Sequence, residues 1–467
     1  MPPKVTDRRR FLTKGGALVG VALAAPGSAV LGSPAAAANA ALAQGDGNLN
    51  DLNSTDAVLY GRRSRFANVL RKLEGSGAAP EGTPARPSPY RPSSKTPLGE
   101  LTGIITPSSL HYTTQHNYGI PDINPADHKL MVHGMVDRPL VFSMDDLKRL
   151  PFVTKIYFIE CVANRPNPQG RSVADTHGRA GCSEWTGVPL SVLFNEVGLK
   201  PGAKWIVAEG AEGGKHSKSV PIAKALDDVM VAYGQNGEAV RPDHGFPLRL
   251  VVPGMEGIWQ VKWLRRIKVV DQPYLTFQET SRFLSTDPKT QANTYEFGPK
   301  SVITYPSGTH QLPGRGSYVI TGLAWSGAGV VRKVEVSTDG GKTYKEAEIS
   351  GLALPKAFTR FHFPWSWNGE EAVIQSRCLD EKDQLQPTDE EVAKYWGYTR
   401  QELYRSSNTR TGGNNWIQAW RVNRDGNVTN GLPPVAFVRD EHADHGTGLE
   451  RGGEGGGRPV DEKAPGS

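Results

Sequence analysis

The sequence predicts an α+β protein in two parts: a mixed α/β domain over residues 98–295, then an immunoglobulin-like β-sandwich over residues 296–440. Three observations carry this reading. Gly 53 and Pro 35 in 467 residues interrupt the chain too often for long helices. In the first part, strand-like apolar runs are interleaved with short helical patterns. From about Tyr295 the texture changes to short strands separated by turn signals. A hydrophobic share of 37% suffices for a core in each part, and the length suits two domains plus extensions.

In order along the chain, residues 1–43 read as a twin-arginine export signal. Asp7-Arg8-Arg9-Arg10-Phe11-Leu12 precedes Lys14 and the weakly apolar run Ala17–Ala25, which is too short to span a bilayer stably. That route carries folded proteins, often with a cofactor inserted, and predicts a periplasmic location. Four of the six net positive charges fall in this segment, so the remainder is nearly neutral and nucleic-acid binding is discarded. Residues 44–97 read as an arm rich in Gly, Pro, Ser and Arg, with a helical possibility around Ala57–Leu73. Residues 441–467 read as a disordered tail, beside which His442 and His445 are solvated rather than metal-binding.

Within the first domain, Thr106–Pro121 mixes polar, aromatic and turn residues without periodicity, the texture of a functional loop. Lys129–Gly134 reads as a strand and Ser143–Leu150 as a helix capped by Ser143, with Asp145 and Asp146 in its first turn. Lys155–Glu160 is a β-branched and aromatic strand that stops at Cys161. Leu190–Glu196 predicts a helix, and Lys204–Ala208 and Val229–Tyr233 predict strands. Gly257–Ile267 reads as extended chain with Gln260, Lys262 and Leu264 on one face. In the second domain, strands are expected at Gly316–Trp325, Val330–Ser337, Glu370–Asp380, Trp416–Asn423 and Val428–Thr429. A hairpin turn is expected at Asp339-Gly340-Gly341, and a short helix in the insert Gln386–Tyr404.

The chemistry concentrates on Cys161. A thiol at a strand end, beside the Arg-bearing loop Asn164–Gly170, can be deprotonated and offered to a soft metal. For an isolated cysteine the bland alternative is a small buried hydrophobe. Three cysteines leave at least one free, ligating a metal or paired between chains, and a Cys161–Cys182 disulfide is the structural alternative. His244 and Arg249 flank a Gly-Phe-Pro turn. With Gln260 and Lys262 they place basic and amide side chains at the ends of apolar strands, which suits an anionic group in a cleft. Ordinary surface ion pairing is the alternative for any one of them.

Taken together, Glu160-Cys161-Val162-Ala163-Asn164-Arg165, Trp185-Thr186-Gly187-Val188-Pro189-Leu190, Asp243-His244-Gly245-Phe246-Pro247-Leu248-Arg249, Val252-Pro253-Gly254 and Val261-Lys262-Trp263-Leu264 resemble the sulfite oxidase family of molybdenum enzymes. The likeness covers most of residues 98–440, including that family's β-sandwich dimerisation domain. Within the family, Cys182-Ser183-Glu184-Trp185, the export signal and Asn415–Trp420 look most like the molybdenum chain of bacterial sulfane and sulfite dehydrogenases. The resemblance implies a Mo-molybdopterin cofactor with Cys161 as the thiolate ligand of the metal. It implies that Gln115, His116, Asn117, Glu212, His244, Arg249, Gln260, Val261 and Lys262 hold the pterin and its phosphate. Gln115 and His216 stand where the family usually carries an Arg and a Tyr at the substrate, so the catalytic candidates are Cys161, Gln115 and His216.

Loss of that Arg should weaken capture of free sulfite dianion. Either the substrate is a protein-tethered sulfur chain, or Lys215, His177 or Arg171 supplies the charge. The implied reaction is oxidation of reduced sulfur with oxygen from water, the electrons leaving to a c-type cytochrome. No Cys-x-x-Cys-His occurs in the sequence, so the haem is expected on a partner subunit. A homodimer through the sandwich, within a heterotetramer, is expected, with a sulfur-carrier protein or small sulfur anion as substrate and no stable membrane span. The competing readings are a dehydrogenase of free sulfite, a reductase of sulfoxides or other oxides, and an exported β-rich binding protein without molybdenum.

Overall fold

The computed structural model describes residues 93–114, 119–280, 285–404 and 413–434, with scattered positions from 59 to 73. The expected export signal, the tail with His442 and His445, and the loop Gln115-His116-Asn117 lie outside the described residues. The chain divides into Met1–Asn68 and Val69–Ser467. In the first unit, Leu59 and Tyr60 are helical and the Phe66 amide donates to Ser64 Oγ at 3.2 Å. All that follows concerns the second unit. There the end of the expected helix Ala57–Leu73 is instead a short strand, Lys72–Leu73, paired with Ser94–Lys95.

The first domain is built from β1 (Lys129–Gly134), β2 (Leu140–Ser143), α1 (Met144–Arg149), β3 (Val153–Glu160), α2 (Val173–His177), β4 (Ala180–Pro189), α3 (Leu190–Val197), β5 (Trp205–Gly210), β6 (Ser217–Pro221), α4 (Ile222–Asp227), β7 (Met230–Gln235), β8 (Arg249–Val251) and β9 (Leu264–Val270). One sheet runs β2-β1-β9-β5-β6, its β1–β9 pair parallel. The other runs Glu238–Ala239, β7, β4, β3, with β8 also on β7. Helix α1 starts where Ser143 accepts from the Asp146 amide and Asp146 returns a bond to the Ser143 amide, a full capping box. Helix α3 buries Leu190, Leu193, Phe194 and Val197, the spacing of one helical face. These side chains join Leu130, Val132, Ile206, Val231, Leu250, Trp259 and Ile267 in the larger core.

The second domain is the expected sandwich. One sheet runs β10 (Lys300–Tyr305), β11 (Gly316–Trp325), β13 (Thr359–Trp367) and Glu348–Ser350. The other runs Lys345–Glu346, β12 (Val331–Ser337), β14 (Ala372–Asp380), β15 (Ala419–Val422) and β16 (Val428–Asn430). The insert holds two helices, α5 (Asp389–Trp396) and α6 (Arg400–Leu403), each opened by a capping box.

Strand β3 joins the two domains. Its last four residues are all buried, because its two faces serve different cores. Tyr157 and Ile159 pack with Tyr112, Trp185 and Val251, while Phe158 packs with Trp325 and Phe358 of the sandwich at ring separations of 6.4 Å. Glu160 follows Phe158 onto that face. Its carboxylate takes the ammonium of Lys300 on β10, the amide of Asn164 (2.9 Å) and the indole N–H of Trp325 (2.7 Å). Lys300 Nζ also donates to the Asn164 carbonyl at 2.6 Å. Both charged side chains are fully buried, and burial pulls the Lys300 ammonium below the ordinary amine range while Glu160 opposes the shift. The Val252-Pro253-Gly254 segment closes the same junction. Gly254 sits at φ +82°, and a Cβ there would stand 2.3 Å from the Gly327 carbonyl of the sandwich, so no larger residue fits.

The alternative of a Cys161–Cys182 disulfide is not realised; Cys161, Cys182 and Cys378 are free. Cys182 lies opposite Phe158 in the β3–β4 ladder, accepts from the Phe358 amide at 3.4 Å, and burial raises its thiol pKa to about 12. Removing one member of the Glu160–Lys300 pair leaves a buried charge uncompensated. Lys300→Met is therefore expected to lower unfolding stability by about 3–5 kcal/mol, and adding Glu160→Gln to recover most of the loss. Chemical denaturation of the three proteins checks both values.

Candidate active site

The strand end at Glu160 delivers Cys161 to the wall of a partly open cavity. The turn after it is fixed by hydrogen bonds. The Cys161 amide donates to the Arg179 carbonyl (2.9 Å), the Asn164 amide to the Cys161 carbonyl (2.8 Å), and Asn164 Oδ1 accepts from the Arg179 amide (2.8 Å). Asn164 thus shapes the thiol's turn while its own Nδ2 is held by Glu160. Arg165, expected to favour a thiolate, is committed elsewhere. Its guanidinium donates to the carbonyls of Leu403 (2.7 Å) and Tyr404 (3.1 Å) and lies over Trp416.

Three other segments complete the wall. The first carries His111, Tyr112, Thr113 and Thr114; the second carries His244 and Arg249; the third runs from Gly257 to Trp263. Glu212 and His216 close one side. His111 Nδ1 donates to the Tyr112 carbonyl at 3.0 Å, and its ring meets that of His244 edge-on at 5.0 Å. His244 Nδ1 donates to Gln235 Oε1 at 3.2 Å. Burial lowers the His111 pKa to about 4 and holds His244 well below the usual imidazole range. Both rings are therefore neutral near pH 7, and each offers Nε2 as an acceptor.

Arg249 donates to the carbonyls of His244 (2.8 Å) and Gln260 (3.3 Å) and stacks over Trp185. Lys262 Nζ donates to the carbonyls of Thr114 (3.1 Å) and Asp243 (3.0 Å). Gly245, at φ +113°, lets the turn pass within contact of the Lys262 backbone. Desolvation lowers the pKa of Arg249 to about 10 and of Lys262 to about 7. Burial disfavours the charged form of each cation.

The buried polar atoms on this wall with no hydrogen-bond partner among the described residues include Nε2 of His111, Nε2 of His244, Nε of Arg249 and Oγ1 of Thr114. Such a cluster is costly in an empty interior. Two imidazole acceptors suit ring N–H groups, the cations suit a phosphate, and the thiol suits a soft metal. Bound molybdopterin offers all three.

Of the residues anticipated from sequence, Cys161, Glu212, His216, His244, Arg249, Gln260 and Lys262 line one cavity. Three observations apply within 257–267. The segment is not one extended strand, since Gly257–Trp259 is a 3-10 turn and β9 begins only at Leu264. The Gln260 side chain turns back to bond the Val252 amide and the carbonyls of Val252 and Met255, so it shapes the wall from behind. Val261 is buried in the main core and does not line the cavity. Nor does His177 supply a cation there: it is buried edge-on against Trp325, and burial holds it neutral. Arg171 is exposed, and Lys215 caps the exposed turn between Glu212 and His216. His111, Tyr112 and Thr114 were not anticipated individually; the aperiodic stretch containing them was the signal.

Comparison with known proteins agrees with this site. An oxidoreductase molybdopterin binding domain matches residues 117–278 and a Mo-co oxidoreductase dimerisation domain matches residues 291–407. The chain belongs to the sulfite oxidase family of molybdopterin oxidoreductases. It is similar to the crystal structure of the sulfane dehydrogenase SoxCD from Paracoccus pantotrophus, with 39% identity and a TM-score of 0.72 over 82% of this chain and 95% of that one. It is 33% identical to NADH nitrate reductase 1 of Arabidopsis thaliana over 59% of this chain, spanning 34% of that enzyme. It is 30% identical to mitochondrial sulfite oxidase of Drosophila melanogaster over 62% of this chain and 55% of that one. The chain thus spans about a third of the plant enzyme's length.

The Lys262 value gives a pH signature. With a pKa of about 7 in the empty cavity, the amine is largely neutral at pH 8, and a bound anion must restore its proton. Inorganic phosphate should bind the empty protein more weakly as pH rises above about 7, by up to tenfold per unit, and take up a proton on binding at pH 8. Calorimetry in buffers of differing ionisation enthalpy tests this; an affinity flat from about pH 6 to 9 contradicts it.

Proposed function

We propose that this chain is the molybdenum-bearing subunit of a periplasmic dehydrogenase of reduced sulfur compounds, with a c-type cytochrome as electron acceptor. The observation that carries the reading is Cys161 on the same wall as the His111, His244 and Arg249 atoms that have no partner among the described residues, in a chain matching 95% of one chain of a sulfane dehydrogenase structure at 39% identity. Molybdopterin, when bound, supplies a centre that transfers oxygen and stores two electrons. The chain's own residues do the rest. Cys161 ligates the metal. His111 and His244 receive ring N–H groups, and Arg249 and Lys262 take the phosphate.

His216 Nε2 donates to the Ile258 carbonyl at 2.9 Å, which fixes the proton on Nε2 and leaves Nδ1 an acceptor. Burial lowers its pKa, so the neutral ring can receive a proton released at the cavity. Glu212 holds it there by accepting the His216 amide at 2.5 Å. The Gln115 position, the fate of His116 and Asn117, and dimerisation through the sandwich belong to the same proposal. The export-signal reading of residues 1–43 supports the periplasmic location, and among the described residues no helix is long and apolar enough to cross a membrane.

The purified, loaded protein should reduce cytochrome c with sulfite or a protein-bound sulfane as donor, and Cys161→Ser should cut the rate at least about a hundredfold, more than loss of an outer-shell partner. Turnover with sulfane but negligible turnover with sulfite selects the tethered substrate; the reverse selects free sulfite. Reduction of nitrate or a sulfoxide without sulfur oxidation overturns the proposal.

A further inference from the structure

We propose that Arg71 is a positioning residue that latches the outer wall of the cavity and so retains the molybdopterin; this rests on the cofactor reading above. The wall segments carrying His111 and His244 come from distant parts of the chain. From outside, one guanidinium joins them. Arg71 pairs with the Asp243 carboxylate, while its Nε and Nη2 donate to the carbonyls of Ser109 (2.7 Å) and Ser108 (3.4 Å). Asp243 immediately precedes His244, and Ser108 and Ser109 lie just before His111.

The Asp243 main-chain oxygen accepts from Lys262 Nζ (3.0 Å) and Thr113 Oγ1 (3.4 Å). A pull on the Asp243 turn is therefore felt at three lining residues. The next arm residues fasten the same edge. Lys72–Leu73 pairs with Ser94–Lys95, and Ser94 exchanges backbone bonds with the lining residue Thr113 at 2.8 and 3.2 Å. Lys72 Nζ reaches Asp175 at 2.5 Å, and Lys95 Nζ donates to the Asp175 carbonyl at 3.2 Å.

Apolar burial does not hold this arm, since Leu70 and Leu73 remain 64% and 47% exposed. The Arg71–Asp243 pair is different, with both side chains about four-fifths buried. A contact made of charges can open without unpacking a core, and at this depth salt screens it little. The planar fork matters as well. A lysine can meet the Asp243 carboxylate but cannot also reach two carbonyls in fixed directions.

The test follows cofactor loss from loaded wild type, Arg71→Ala and Arg71→Lys, through molybdenum content and released pterin fluorescence, at about 0.15 and 1 M salt. Arg71→Ala should lose cofactor about tenfold faster, the equivalent of one charge-assisted hydrogen bond. Arg71→Lys should fall between, and the difference between wild type and Arg71→Ala should persist at 1 M salt, because the pair is largely buried. In the empty proteins, Arg71→Ala should speed amide hydrogen exchange at 108–114 and 243–246 without changing it in β9. Wild-type release and wild-type exchange in Arg71→Ala overturn the latch. Wild type purified without pterin sinks the cofactor reading instead, and the exchange result then decides the latch alone.

Discussion

A carboxylate and an ammonium, each removed from water, meet where the two domains join. Glu160 and Lys300 are fully buried, and the desolvation of such a pair is offset only when the remaining lone pairs and protons find partners. Here they do, through Asn164 and Trp325. The next residue after Glu160 is Cys161. The same network that satisfies the buried pair therefore sets the turn that presents the thiol, and a sandwich with no residue on the cavity wall among the described residues still governs its position. This gives the Glu-Cys-x-x-Asn pattern a physical meaning: acid, thiol and amide form one hydrogen-bonded unit.

The cavity shows the complementary situation, polar groups left without partners. His111, His244, Arg249 and Thr114 each keep a buried atom unsatisfied among the described residues. Desolvation holds the imidazoles neutral and depresses the amine and guanidinium. A molecule with N–H donors at one end and a phosphate at the other reverses these costs, so binding and protonation are coupled at this wall. The junction is balanced without a ligand, whereas the cavity is balanced by one.

Much of this was legible in the sequence because local chemistry and fold agree. Strand Gly316–Trp325, the capped helix after Ser143 and the helix beginning at Leu190 follow their patterns closely. The two longest sandwich strands that were not anticipated are Lys300–Tyr305 and Thr359–Trp367. Each carries a buried cation, Lys300 or Arg360, whose partners lie far away in the chain: Glu160 for one, the Leu101 and Gly103 carbonyls for the other. Such a residue breaks the alternation that marks a strand. Gln260 lines the cavity, with its side-chain amide turned to the backbone of the wall. Its polarity suggested a ligand, but the amide is consumed by the Val252–Met255 backbone. Cys161, His244, Arg249 and Lys262 were legible as ordered motifs, while His111 and Arg71 become meaningful only once distant segments are brought together.

The central claim is that the Glu160 network presents Cys161 to molybdenum. X-ray absorption at the molybdenum edge, on loaded wild type and on a Cys161→Ser variant that retains its pterin, tests it most directly. One fewer sulfur around the metal in the variant, with the pterin sulfurs unchanged, is the expected result. An identical sulfur shell in the two proteins contradicts the account.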